Sequence, residues 1–176
     1  MLPSGHIEFT WAALNLLQRQ AGLFEDADYR LVALAAVLPD LLDKPLATFV
    51  LTDAEAALLY GHTALLHGGV WLAAAATGQL PRGLPYLLAF SGHLLADRMW
   101  SFSQTLLWPL RGRRFHQWKH VGSPEAILRA YAKIIRDEPL LLTFEALGAL
   151  LLAWFMLDRG LWQRENLAGF LRDGRP

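Results

Sequence analysis

Apolar positions in this chain come in long blocks rich in Leu and Ala, without the period-two alternation of half-buried strands. Prolines and glycines divide the blocks, and the divisions predict helices. A first helix runs from about residue 5 to Gln20, with Gly22 just past its end. A second starts near Asp28 and reaches Pro39. A third starts at TDAE, where Thr52 and Glu55 have capping-box spacing, and ends near Gly78. Pro85 suits the first turn of a fourth, residues 85–100. Residues 101–122, with Pro109, Gly112 and Gly122, read as irregular. Ser123 and Pro124 start a fifth helix, Pro139 opens a sixth that ends at Gly160, and the tail from 161 holds a short amphipathic helix. There is no repeat and no low-complexity linker. Residues 1–176 therefore read as a single all-α domain, a bundle of five to seven helices with room for a metal site between them.

Two blocks raise the question of a membrane. Residues 140–157, LLLTFEALGALLLAWFML, carry one charge, Glu145, in 18 positions. That length reaches the lower edge of the roughly 17–25 residues a spanning helix needs. Residues 62–77 are nearly as apolar but contain two histidines. The pattern favours a chain embedded in or attached to a membrane, although the central helix of a soluble bundle has the same composition. Glu145 lies close enough to the start of its block to sit near an interface. The opening residues have neither the basic region nor the cleavage site of a signal peptide.

Composition narrows the chemistry. Hydrophobic residues make up 54% of the chain and charged ones 18%, and the formal net charge is zero, so no global field attracts a polyanion. The absence of cysteine excludes disulfides, thiolate metal sites and a cysteine nucleophile. Any metal must take imidazole and carboxylate ligands, a donor set that suits a divalent first-row ion and zinc above all. Residues 111–136 hold seven Lys/Arg against one acid, Glu125. In a membrane protein this segment belongs on the cytoplasmic face, where it suits anionic lipid or phosphate. The rest of the chain supplies an excess of acids, so no nucleic-acid partner is expected.

Several titratable side chains interrupt the apolar blocks. His93 and Asp97 are four apart, on one helix face, and can converge on one ion or simply bond to each other. Asp40 follows Pro39, which places it at a helix end where its carboxylate can point between helices or cap the next turn. His62 and His67 are five apart, a net turn of about 140° on a regular helix, so they cannot both face one ion. One is then a ligand and the other an interface residue; His67 is the one placed outside the metal shell. Gly61 allows another backbone close to His62, while Gly68 and Gly69 can do the same for His67 or kink the helix. Unpaired ionisable groups in an apolar core cost several kcal/mol each on an order-of-magnitude scale, and a shared metal offsets that cost. His6, Asp40, His62, His93 and Asp97, from four helices, are the candidate ligands.

These motifs resemble a bacterial family of membrane-bound, predicted metal-dependent hydrolases, which includes an SOS-regulated inner-membrane protein. The likeness rests on His6, LPDLLD (38–43), GHTALL (61–66), SGHLLAD (91–97) and LLWPL (106–110), in the family's order over residues 6–110. The chain departs from the family where a further histidine commonly precedes the His-Thr pair: here that stretch reads AEAALLY, and His67 does not take its place. A more distant similarity is to the all-helical zinc-dependent phospholipases C and single-strand nucleases. That likeness implies a first ion held by Asp40, His62, His93 and Asp97, and a second begun by His6 with Asp97 as bridge. His116 and His120 can complete the second site or form a solvated pair in the basic loop.

The resemblance and the residues together imply a metal-dependent hydrolase in or on the bacterial inner membrane, with residues 111–136 facing the cytoplasm. Its substrate would be a phosphoester, either a small molecule or a lipid. Asp97 would be catalytic as well as a ligand, Asp43 would be the free carboxylate serving as base, and basic residues of 111–119 would hold the phosphate. The alternative is a structural or binding membrane protein whose metal only stabilises the helix bundle. A soluble bundle with ordinary His–Asp pairs is the third reading.

Overall fold

The computed structural model describes residues 1–51, 55–118 and 123–176. Among them it contains eight α-helices and no strand: α1 (Pro3–Ala21), α2 (Tyr29–Pro45), α3 (Ala64–Ala76), α4 (Leu80–Ala96), α5 (Ser103–Leu106), α6 (Pro124–Asp137), α7 (Pro139–Asp158) and α8 (Arg164–Asp173). The count exceeds the expected seven by one because residues 101–122, read as irregular, include the single turn α5.

Local chemistry explains most boundaries. α1 has Pro3 in its first turn and ends at Gly22, whose φ of 62° is the left-handed stop that glycine adopts without strain. Asp28 caps α2 by accepting the Arg30 amide at 2.8 Å, and Ser123 caps α6 by accepting the Ala126 amide at 3.1 Å.

Three expectations fail. The second helix does not stop at Pro39 but runs on to Pro45, so Asp40 lies inside a helix. The third starts at Ala64, not near residue 52. Residues 52–54 lie outside those described, and 55–59 are not helical. Thr63 is the true cap, taking the Leu66 amide at 3.2 Å, and Tyr60–His62 form a 3-10 turn before it. The fourth starts at Leu80 with Pro81 in its first turn, which leaves Pro85 inside. It ends at Ala96, two residues before Arg98, which has a φ of 54°. Gly68 and Gly69 lie within the continuous α3, and a Cβ on either would meet nothing within 4 Å.

α2 packs between α1 and α4, and α7 lies along the other side of α1. The main core gathers round Tyr29, which is fully buried: its ring stacks on Phe155 at 5.1 Å and meets Trp11 and Phe170 edge-on at 6.0 and 6.1 Å. A smaller cluster of Ala47, Ala56, Leu59 and Phe115 supports the Tyr60–His62 turn. The Trp-Pro segment belongs to it, since Trp108 packs against Tyr60 at 5.1 Å and Phe115 at 5.7 Å.

α7 is long and apolar enough to cross a membrane, and only 11% of its most apolar stretch is buried. It meets α1 along a narrow strip, with Phe144 on Phe9 at 6.4 Å and Gly148 facing Glu8. Leu150 and Leu157, each 68% exposed, point away. Glu145, the one charge in the block, accepts the Leu2 amide at 2.8 Å and the Ser4 hydroxyl at 3.1 Å. It thus answers the unpaired donors and positive dipole end of α1.

Candidate metal centre

Four elements converge on one buried point. α2 supplies Asp40, the 3-10 turn supplies His62, α4 supplies His93, and Asp97 caps the end of α4. One ligand atom from each of Asp40, His62, His93 and Asp97 lies within 4.8 Å of all the others. His62 Nε2 is 3.1 Å from His93 Nε2. Asp97 Oδ2 lies 3.3 Å from His93 Nε2 and 3.6 Å from His62 Nε2. Asp40 Oδ1 lies 3.6 and 3.9 Å from the same two nitrogens.

The outer hydrogen bonds fix the tautomers. His93 Nδ1 is 2.7 Å from the carbonyl of Ala36, which can only accept. His62 Nδ1 is 2.7 Å from a carboxylate oxygen of Asp43. Both Nδ1 atoms therefore carry the proton, and in the neutral rings both Nε2 atoms present lone pairs to each other. Only a proton or a cation between them makes that contact favourable. The spacing suits a metal: bonds of about 2.0–2.2 Å in a tetrahedron give ligand–ligand separations of roughly 3.3–3.6 Å. The charges agree. Three carboxylates, Asp40, Asp43 and Asp97, stand against two ammoniums, Lys44 on Asp40 and the Met1 amino group on Asp97, so the group keeps a net negative charge that a cation would balance.

Each supporting contact has a local cause. Pro39 removes one backbone donor and weakens the α2 ladder, in the turn whose Ala36 carbonyl receives His93. Asp43 is fully buried and accepts from the Leu59 amide at 2.6 Å, the Gly61 amide at 2.7 Å and the His62 ring. It is therefore not the free carboxylate expected of a base; its place is behind His62, holding the ring and its turn. Gly61 is needed at this turn, because a Cβ there would lie 2.7 Å from the Pro39 carbonyl and 2.9 Å from Asp43 Oδ1.

His6 comes in from α1. Its ring stacks on His93 with centroids 3.9 Å apart, and its Nε2 is 3.1 Å from Asp97 Oδ1 but makes no hydrogen bond. His6 is thus beside the four-residue group, on the other oxygen of Asp97, where the Met1 amino group also lies at 2.8 Å. His67 is outside the group: its ring sits 3.0 Å from the Gly61 carbonyl and 3.2 Å from Ser91 Oγ, and it stacks on Phe90. His116 packs edge-on against Phe102 at 5.0 Å and does not join. His120 lies outside the described residues.

Electrostatics follow from this packing. Burial opposes a charged ring at His62, but the carboxylates of Asp43 and Asp97 outweigh it and push its pKa up to about 9. Burial also opposes ionisation of Asp97, yet His6, His62 and His93 hold its carboxyl well below the usual range. Burial dominates at His67 and lowers it to about 4.

Besides the Met1 amino group on Asp97, the basic group touching the cluster is Lys44, one helical turn after Asp40 and paired with its second oxygen. Its ammonium also sits 5.1 Å above the Tyr131 ring of α6. The i,i+4 spacing of Asp40 and Lys44 is legible in sequence; Tyr131 carries no such signal. Of the basic residues of 111–119 expected to hold phosphate, Arg111, Arg113 and Arg114 are exposed, with Arg111 donating to Ser103 Oγ at 2.8 Å, and Lys119 lies outside the described residues. Arg98, in its left-handed conformation directly after Asp97, is a strained non-glycine residue of the kind that gathers at functional sites. Comparison of the chain with family models, curated proteins and solved structures found no match.

Proposed function

We propose that the protein is a metal-dependent hydrolase of a phosphoester, working at the bacterial inner membrane with α7 as its membrane segment. The observation that carries the reading is the convergence of His62 Nε2 and His93 Nε2, 3.1 Å apart, with carboxylate oxygens of Asp40 and Asp97 on one buried point. The motif resemblance to membrane-bound metal-dependent hydrolases points the same way. A divalent ion bound there, zinc best suiting the donors, supplies a water of lowered pKa and an electrophile for a phosphoryl oxygen.

The chain's own residues divide the remaining work. Asp43 and the Ala36 carbonyl keep both imidazoles in the ligating tautomer. Asp97 is 13% exposed at its side chain, the most open of the four, so substrate approaches on its side. Its Oδ1 faces His6 and the Met1 amino group while Oδ2 faces the imidazoles, so Asp97 would join the ion's surroundings to the groups on its open side. Lys44 neutralises one oxygen of Asp40 and places positive charge beside the site for an anionic substrate. The basic segment 111–136 lies on the cytoplasmic side in this reading.

One observation favours a second reading. Four side chains are enough to fill the ligand shell of a structural zinc site, and three of them are at least 93% buried. In that case the metal only ties α2, the His62 turn and α4 together. Elemental analysis of protein prepared without chelator, followed by assay on a chromogenic phosphodiester, separates the two. Stoichiometric metal with turnover abolished in Asp97→Asn supports the hydrolase; stoichiometric metal without turnover supports the staple.

A further inference from the structure

His6 belongs both to the surroundings of Asp97 and to the wall of an apolar groove of about 210 Å3. One wall is a single face of α1, running from His6 through Phe9 and Ala13 to Leu17. The other is formed by α4, with Leu88, Gly92 and Ala96. Apart from His6, the one polar side chain lining it is Thr10, whose hydroxyl is spent on the His6 carbonyl at 2.6 Å. A groove so lined has nothing to offer a sugar, a base or a peptide backbone.

Its dimensions point to one kind of occupant. His6 to Leu17 is eleven residues of helix, about 16 Å. Half of a hydrocarbon core of about 30 Å is about 15 Å, the depth spanned by one acyl chain. Small residues make the room: a Cβ on Gly92 would meet nothing within 4 Å. The groove is also continuous with the surface expected to meet lipid, since Phe9 on its wall touches Phe144 of α7. At its inner end His6 Nε2 is buried and makes no hydrogen bond, although it lies 3.1 Å from Asp97 Oδ1.

We infer that the groove seats one hydrocarbon chain of a lipid phosphoester whose phosphoryl head lies at His6 and Asp97. The inference rests on the hydrolase reading for the identity of the head, and on the groove alone for the chain.

The test uses the full chain, metal-loaded and held in an amphipathic polymer, titrated calorimetrically with n-alkyl phosphates from ethyl to dodecyl below their micelle concentrations. Affinity should rise by about two- to fourfold per methylene and then level off once the groove is full. Gly92→Leu should move the plateau to shorter chains and weaken dodecyl phosphate at least tenfold, with ethyl phosphate binding and metal content unchanged. Ala13→Leu, which fills the groove from α1 and is remote from the ligands, should do the same and stands in if Gly92→Leu disturbs His93. Chain dependence that is absent, or identical in the parent and both variants, overturns the groove. Ethyl phosphate that binds equally with and without metal sinks the hydrolase reading of the head, while a plateau and shift that persist leave the chain site standing.

Discussion

His62 and His93 face each other across 3.1 Å through ring nitrogens that both lack a proton in the neutral state. The contact is repulsive unless something positive lies between them. Metal should therefore add stability by mass action, about 2.7 kcal/mol at a free concentration one hundred times Kd. Thermal unfolding with and without chelator measures it. His62→Ala should lose bound metal, whereas His67→Ala should keep it; equal loss from both would place His67 in the shell.

Asp97 and Asp43 should fail in different ways. Asp97→Asn removes the charge that faces three histidines, so bound metal or turnover should fall while helical circular dichroism stays intact. Asp43→Asn puts an amide where three donors converge. One donor then meets another, which should cost about 1–3 kcal/mol, and metal affinity should drop roughly 10–100-fold as His62 loses its orientation. Metal titration together with urea unfolding distinguishes the two patterns. A parent-like Asp43→Asn would mean that the carboxylate is not what holds the turn.

Gly61→Ala is a one-carbon probe of the same turn. Its Cβ would enter the space of the Pro39 carbonyl, a backbone atom that cannot swing aside. The His62 turn must move away from α2, and overpacking of this kind costs about 1–3 kcal/mol. Metal affinity should fall alongside stability. A variant with unchanged metal affinity would show that the turn tolerates the shift.

His67 gives stability a distinct dependence on pH. Its pKa is about 4 in the folded chain against 6.5 for the free side chain. Between those values the unfolded chain binds the extra proton, so stability falls as pH is lowered from about 6.5 towards 4. His67→Asn should flatten that part of the profile, read as the urea midpoint at each pH. The same slope in parent and variant would assign the effect elsewhere.

α7 should hold the chain in the bilayer, because most of its apolar surface has no partner among the described residues. Membranes from expressing bacteria should retain the protein through alkaline carbonate. Release by salt or alkali would rule out a span. Glu145→Gln should leave metal content unchanged, since the carboxylate serves the start of α1.

What sequence revealed depended on how local the cause was. The His93–Asp97 pair was legible because four residues fix a helix face. The starts of α6 and α7 were legible because Ser123, Pro124 and Pro139 act within one turn. The role of Asp43 was not, because its three donors lie 16 to 19 residues away in a turn built around them. The same bonds hold residues 59–62 out of the helix that the Thr52–Glu55 spacing suggested. At Pro39 the rule that proline ends a helix lost to the packing of α2 between α1 and α4, and so Asp40 entered the site from a helix interior. The placement of Tyr131 over Lys44 depends on how α6 returns across the fold, which no local pattern encodes.

Ala36, Asp40 and Asp43 recur along one face of α2, and this face supplies a ligand as well as the acceptors that orient the two imidazoles. A rotation of α2 by one residue, about 100°, would remove all three contributions together. Ion occupancy is thus tied to the register of one helix against the His62 turn and α4. The centre acts as a latch that is either fully engaged or open, and losses from altering these positions should be strongly non-additive.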